Sequence, residues 1–262
     1  ATMLLPLFSV PPTTMKLLIL LLVSVSVTSF VPCNPPSSTR QQTETRAVSP
    51  GVNIALVTSS VALLSGYHVR LSIEEKNNQE QGSCVTWRQY QADAREQWAR
   101  HVKDTDGWLY AIQTLRNAMT AQSFLASTVL SLLTLITGKV WDILRNASNK
   151  WERRLLIVQL ITISAPMLFS ANQFLQGVRL MTHAGFMFPV KNDTKVDNIM
   201  RKTESCQWLG LRSMYISIAP IAWVVGGGRA FFASSVALIL FFRQIDKKPE
   251  GLGYEEFQAS YI

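Results

Sequence analysis

The chain has 262 residues, 48% hydrophobic and 16% charged, with Lys and Arg outnumbering Asp and Glu by 25 to 17. Soluble domains carry about 25% charged residues, so this composition, with a mean hydropathy of +0.15, excludes an ordinary soluble globular protein. The basic residues flank apolar runs instead of forming a patch interleaved with aromatics, so membrane anchoring accounts for them and nucleic acid is not an expected partner.

Residues 1–14 read as upstream or non-native sequence, because Met15 makes a better start than Met3. From Met15, MKLLILLLVSVSVTS combines Lys16, a short apolar core and the small-residue end Val27-Thr28-Ser29. That pattern predicts a secretory signal peptide over 15–29, with a core too short to span a bilayer. Residues 30–51 are rich in Ser, Thr, Pro and Arg around the acid Glu44, and read as a transit-like or disordered linker. A signal peptide with Phe30 at the cut and such a tail behind it resembles the bipartite plastid address of algae with secondary plastids. The expected location is an integral protein of a plastid membrane, with the secretory-pathway or plasma membrane as the alternative.

Four apolar segments follow, at 52–71, 110–137, 154–182 and 207–245, ahead of a C-terminal tail at 247–262. They predict an all-α polytopic membrane protein, a four-helix transmembrane bundle, since a span needs roughly 20 residues. As helices the second and third measure about 42 Å, against a hydrocarbon core of about 30 Å. Their most apolar parts are 118–137 and 155–171, so each projects from the membrane at one end. The fourth is too long for one straight span and contains Pro220 and Gly226-Gly227-Gly228. It is either an interfacial helix over 207–219 followed by a span, or a helical hairpin giving five crossings.

The first loop contains SCVTWRQYQADAREQWARHV, in which Trp87, Tyr90, Ala94, Trp98 and Val102 recur at helical spacing. This predicts an extra amphipathic helix that caps the bundle or rests on the headgroups. Ser123, Ser127 and Ser131 recur every four residues in the second span, which predicts close helix packing within the bundle. With four spans, the mature N-terminus, the 138–153 loop and the C-terminal tail share one side, called side A. The loops 72–109 and 183–206 share side B. Lys and Arg divide almost evenly between the sides and set no orientation. Of the cysteines Cys33, Cys84 and Cys206, the last two fall on side B and could pair in an oxidising compartment.

Polar residues concentrate at the side B ends of the spans. Asn172, Gln176, Arg179 and His183 lie on one helical face of the third, and Gln113, Arg116 or Asn117, and Thr120 on one face of the second. The topology predicts that His68, Gln113, Arg116, Asn117, Gln176, Arg179, His183 and Arg212 converge there. None of these faces supplies an acid, so three arginines need counter-charge from Glu96, Asp104 or Asp106, or from a bound anion. Arginine suits carboxylate and phosphate because its planar fork donates two bonds at once.

The expected function is non-enzymatic: binding of an anion or anionic lipid headgroup, as in a small transporter or channel. A structural network closing the helix ends is the plainer alternative. Another is a structural or accessory subunit of a larger membrane complex, with membrane-protein partners meeting side B and the Trp-bearing helix. A third is a haem held by His68 and His183. No Walker loop, GxSxG, HExxH or acidic metal cluster supports an enzyme, and neither a metal nor a cofactor is expected.

The run AIQTLRNAMTAQSFLAST at 111–128 resembles the signature of domain-of-unknown-function family 599, a group of plant and bacterial membrane proteins. Tyr67-His68 and Leu71 resemble its first-helix motif, and Arg95-x-x-Trp98 its pre-helix motif. Arg179 and His183 in VRLMTHAGF, and Gly210-Leu211-Arg212 with Tyr215, Pro220 and Trp223, resemble its later motifs. The resemblance covers roughly 52–246. It departs at the loops around Asn146 and Asp193 and at Gly226-Gly227-Gly228, where a Gly-Pro pattern is expected. It implies a four-helix membrane protein and no particular activity, substrate or cofactor.

Overall fold

The computed structural model describes residues 50–80, 86–147, 149–190 and 195–247. The expected leader, most of the C-terminal tail and Cys84 lie outside them. The described residues form six helices and no strand: α1 (Pro50–Glu80), α2 (Trp87–Asp104), α3 (Trp108–Asn146), α4 (Lys150–Met187), α5 (Lys195–Ile216) and α6 (Ile218–Ile245). Four stretches are long and apolar enough to cross a membrane: Gly51–Asn77, Trp108–Asn146, Lys150–Met187 and the α5–α6 run Lys195–Ile245. The protein is an all-α polytopic membrane bundle.

Most helices outrun the expected spans, for local reasons. α1 continues past residue 71 because Glu74, Glu75 and Lys76 are good helix formers and Arg70 pairs with Glu74 one turn on. α3 runs through the expected side A loop because Val140 and Leu144 keep the register of its buried face. The loop shrinks to a break around 147–149, where Asn149 caps α4 by accepting the Trp151 N–H at 3.0 Å. α5 begins well before residue 207, with Val196, Met200 and Thr203 buried along one face.

α4 packs between α3 and α5. Ala126 and Val129 meet Ile163, Met167, Ala171 and Phe174, with Leu211, Met214 and Ile221 against them. Inside the bilayer such contacts stabilise through packing, because lipid tails are as apolar as the side chains. α2 is the expected amphipathic helix, and it caps the bundle. Its Ala99 and Val102 bury against α3, α4 and α5, and Trp98 meets Phe188 edge-on at 5.9 Å.

The fourth apolar segment is a hairpin. In a straight helix Arg212 and Asp246 would stand about 51 Å apart, yet their side chains form an ion pair. Trp223 stacks on Phe231 with ring centroids 5.4 Å apart, and Tyr215 meets Phe241 at 5.3 Å. The chain reverses at Gly227, whose φ of 69° and ψ of −164° lie outside helical space. L side chains rarely adopt that conformation, and glycine does so without steric cost. Pro220 accounts for the separate break at Ser217. It has no N–H for the Ile216 carbonyl, so the hydrogen-bond ladder lapses there. The second of the two expected geometries is thus the observed one, with a descending limb to Gly226 and a returning limb over 228–245.

The returning limb runs parallel to α1. Gly228 lies beside Asn53, and fourteen residues further along both, Tyr67 stacks on Phe242 at 6.2 Å. Thr86 and Lys247 form an isolated bridge. The end of α6 therefore sits on side B beside α2, and not on side A where a single fourth span would leave it.

Candidate functional site

The eight residues expected to converge divide into two groups. His68 and Arg212 are brought together on the ring of Phe242. The His68 ring stands 5.6 Å from it, and the Arg212 guanidinium lies 4.0 Å from its centroid. Gln113, Arg116, Asn117, Gln176, Arg179 and His183 are all exposed. None of those six makes a side-chain hydrogen bond or ion pair among the described residues.

Arg212 is buried, at 5% exposure, and its counter-charge is Asp246, an acid beyond the last span. None of the expected loop acids Glu96, Asp104 and Asp106 takes that place. The Tyr67 hydroxyl donates to the same carboxylate at 2.6 Å. On its other side Arg212 faces the Trp208 ring at 4.7 Å, and Arg88 faces that ring at 4.4 Å. Arg88 in turn pairs with Glu75 at 2.7 Å. A belt of alternating charge and aromatic rings therefore ties α1, α2, α5 and α6 together. The expected loop acid Glu96 is occupied elsewhere, by Arg100 and Arg201.

A second polar chain enters the bundle from α2. Arg95 Nε lies 2.7 Å from Glu204 Oε2. Another nitrogen of Arg95 donates to Gln207 Oε1 at 2.8 Å, and Gln122 Nε2 reaches the same oxygen at 3.2 Å. Glu204 and Gln122 are buried, at 4% and 2% exposure. The sequence reading missed both, although each lies in register with an apolar face. Gln122 follows Ala111 and Leu115 on the core side of α3, and Glu204 follows Val196 and Met200 on α5.

The six exposed residues lie on the outward sides of α3 and α4. On α3 the core side carries Ala111, Leu115, Gln122, Ala126 and Val129, and Gln113, Arg116, Thr120, Ser123 and Ser127 lie opposite. On α4 the core side carries Ile163, Met167, Phe174 and Met181, and Asn172, Gln176, Arg179 and His183 lie opposite. The expected serine packing within the bundle does not occur. Ser123, Ser127 and Ser131 point away from the core, and Ser131 and Ser127 donate to their own helix at 2.9 and 3.0 Å.

The relative height of these residues follows from cross-helix contacts. Thr182 donates to the Met119 sulfur at 3.2 Å, and Gly177 lies against Gln122. The antiparallel pairing therefore puts His183 level with Asn117. Arg116 and Arg179 differ in height by about 7 Å at 1.5 Å per residue, which is about the depth of one headgroup layer.

The profile of a family described as "Protein of unknown function, DUF599" matches residues 55–250. The chain belongs to this family. No curated protein and no solved structure matches it. In this DUF599 member the 111–128 run carries residues of both kinds: Gln113, Arg116 and Asn117 face outward, and Leu115, Gln122 and Ala126 face the core. His68 and His183, the pair considered for haem, sit in unlike settings. The His68 Nδ1 is 2.7 Å from the Leu64 carbonyl, whereas His183 is exposed on the outward face of α4. No group of three metal-ligating side chains occurs among the described residues.

Proposed function

We propose that this protein is a non-enzymatic integral membrane protein that holds anionic lipid headgroups against the outward face of α3 and α4. One observation carries the proposal: Arg116 and Arg179 stand exposed and without counter-charge among the described residues, while the buried Arg212 is neutralised by Asp246. Their separation in height matches one headgroup layer. Gln113, Asn117, Gln176 and His183 surround them with further hydrogen-bonding groups. A cation near an anionic surface contributes about 1 kcal/mol. Arg116→Gln with Arg179→Gln should therefore weaken phosphatidylglycerol binding roughly thirty-fold. Titration of the delipidated protein, read by native mass spectrometry, measures this, and unchanged affinity in the double variant overturns the proposal. The Ser-, Thr-, Pro- and Arg-rich stretch at 30–49 supports a plastid membrane as the location, which fluorescent tagging of the full chain tests.

A second role, as an accessory subunit of a larger membrane complex, is favoured by the outward Ser123, Ser127 and Ser131. Small residues at that spacing let a foreign helix approach closely. Ser127→Leu would then release partners during purification in mild detergent, with the thermal midpoint of the isolated chain unchanged. Partners retained in full by that variant would exclude the serine face as the interface.

A further inference from the structure

A groove of about 860 Å³ runs between α1 and the returning limb of α6, on helices other than those bearing Arg116 and Arg179. Ala62, Leu63, Gly66 and Ile239 line its apolar part, and Arg70, Glu74, Arg243, Asp246 and Lys247 rim its side B end. Ala62, Leu63 and Gly66 are exposed, so the groove opens sideways from the bundle. From Ser59 to Arg70 the helix rises about 16 Å. That is close to half of a hydrocarbon core about 30 Å thick. The groove from Ser59 up to its charged rim thus covers about the depth of one leaflet, and the rim reaches headgroup level.

The rim is not neutral. Arg70 is taken by Glu74 at 2.7 Å, and Asp246 is taken by Arg212 and Tyr67. Arg243 and Lys247 have no acidic partner among the described residues. The backbone at Asp246 and Lys247 is tied to the start of α2, because the Trp87 N–H donates to the Asp246 carbonyl at 3.2 Å and Lys247 bridges to Thr86, and Arg243 stands in the last turn of α6. An apolar slot that ends at two cations without acidic partners matches an amphiphile with an acyl chain and an anionic head.

We propose that this groove binds one anionic phospholipid, with an acyl chain between α1 and α6 and its phosphate at Arg243 and Lys247. The proposal does not depend on lipid binding at α3 and α4.

The test uses the full chain in phosphatidylcholine vesicles doped with phosphatidylglycerol bearing a photoreactive acyl chain. Cross-links are expected on α1 around residues 59–66, competed by unlabelled phosphatidylglycerol and not by extra phosphatidylcholine. Arg243→Gln with Lys247→Gln should lower the affinity for the probe roughly thirty-fold, from the loss of two cations. Ala62→Trp keeps both cations and fills the slot, and should abolish labelling there. Arg116→Gln with Arg179→Gln should leave labelling of α1 unchanged, which separates this site from the outward face of α3 and α4. Equal labelling by a phosphatidylcholine probe, undiminished labelling in the Arg243 and Lys247 variant, or no labelling of α1 overturns the proposal.

Discussion

Replacing Asp246 by alanine tests whether the fold-back of the fourth segment depends on the charge it places beside Arg212. Arg212 is buried and Asp246 largely shielded, with side chains 6% and 10% exposed. Removing one partner of such a pair leaves an uncompensated buried charge and costs about 3–5 kcal/mol. Some attraction survives, because the Phe242 and Trp208 rings remain at 4.0 and 4.7 Å from the guanidinium. Cation–π contacts of this kind contribute about 0.5–2 kcal/mol, so the low end, about 3 kcal/mol, is expected for Asp246→Ala. The Tyr67 hydroxyl also loses its acceptor. Arg212→Met combined with Asp246→Ala removes both charges and should recover most of the loss, leaving about 1 kcal/mol. Unfolding of the purified protein in mixed micelles, followed by circular dichroism, measures each variant. A cost below about 1 kcal/mol for Asp246→Ala, or a double variant as unstable as the sum of the singles, would refute the reasoning.

Further substitutions probe other parts of the bundle. Gly210→Ala would put a methyl 2.8 Å from the ring of Phe174, which is fully buried. A loss of about 1–3 kcal/mol is expected from overpacking, whereas Gly138→Ala, with nothing within 4 Å, should not destabilise the same helix-unfolding signal. Gly227→Ala forces a side chain into an essentially glycine-only region at the reversal and should cost about 1–3 kcal/mol; an unchanged midpoint would argue against the hairpin. Glu204→Gln removes the charge facing Arg95, which keeps its hydrogen bond to Gln207, and should cost about 1–2 kcal/mol in the same unfolding assay.

The helices were legible in the sequence because apolar runs and helical periodicity report burial directly. Trp98 and Val102 marked the capping helix α2, and Pro220 with Gly226-Gly227-Gly228 marked the break in the fourth segment. The direction taken after Gly227 was not legible, because a glycine run permits a reversal without requiring one. The site was harder. Arg116, Arg179 and Arg212 look alike in a helical-wheel count, yet two face outward and one is buried. What separates them is register. Arg116 stands at three- and four-residue spacing from the exposed Gln113 and Thr120, whereas Arg212 sits in a turn of α5 where Gly210 and Ser213 are buried as well. Asp246 is not legible as a partner because it stands just past the last apolar residue of the fourth segment, and only the fold-back returns it to Arg212.

The fold-back also changes how charge is distributed across the bilayer. With the end of α6 on side B, Arg243 and Lys247 leave side A. Among the described residues side A then holds Lys139, Arg145, Lys150, Arg153 and Arg154 around the α3–α4 break, with Arg229 at the hairpin turn. Side B holds more than twice as many, from Arg70 and Lys76 through α2 and α5 to Lys247. Lys and Arg near the ends of spans set orientation, whereas acids contribute little to it. The near-even division obtained with four spans becomes a clear bias. Side B should therefore face the compartment from which the chain inserts, and the α3–α4 break the opposite one. In a chain whose native cysteines are changed to serine, Lys150→Cys should react with an impermeant maleimide added from the far side of the membrane. Asn77→Cys, in the last turn of α1, should react only after permeabilisation. The reverse pattern would mean that charge bias does not govern insertion of this chain. Reaction of both sites from one side would place residues 77 and 150 on the same face, which the antiparallel course of α3 forbids.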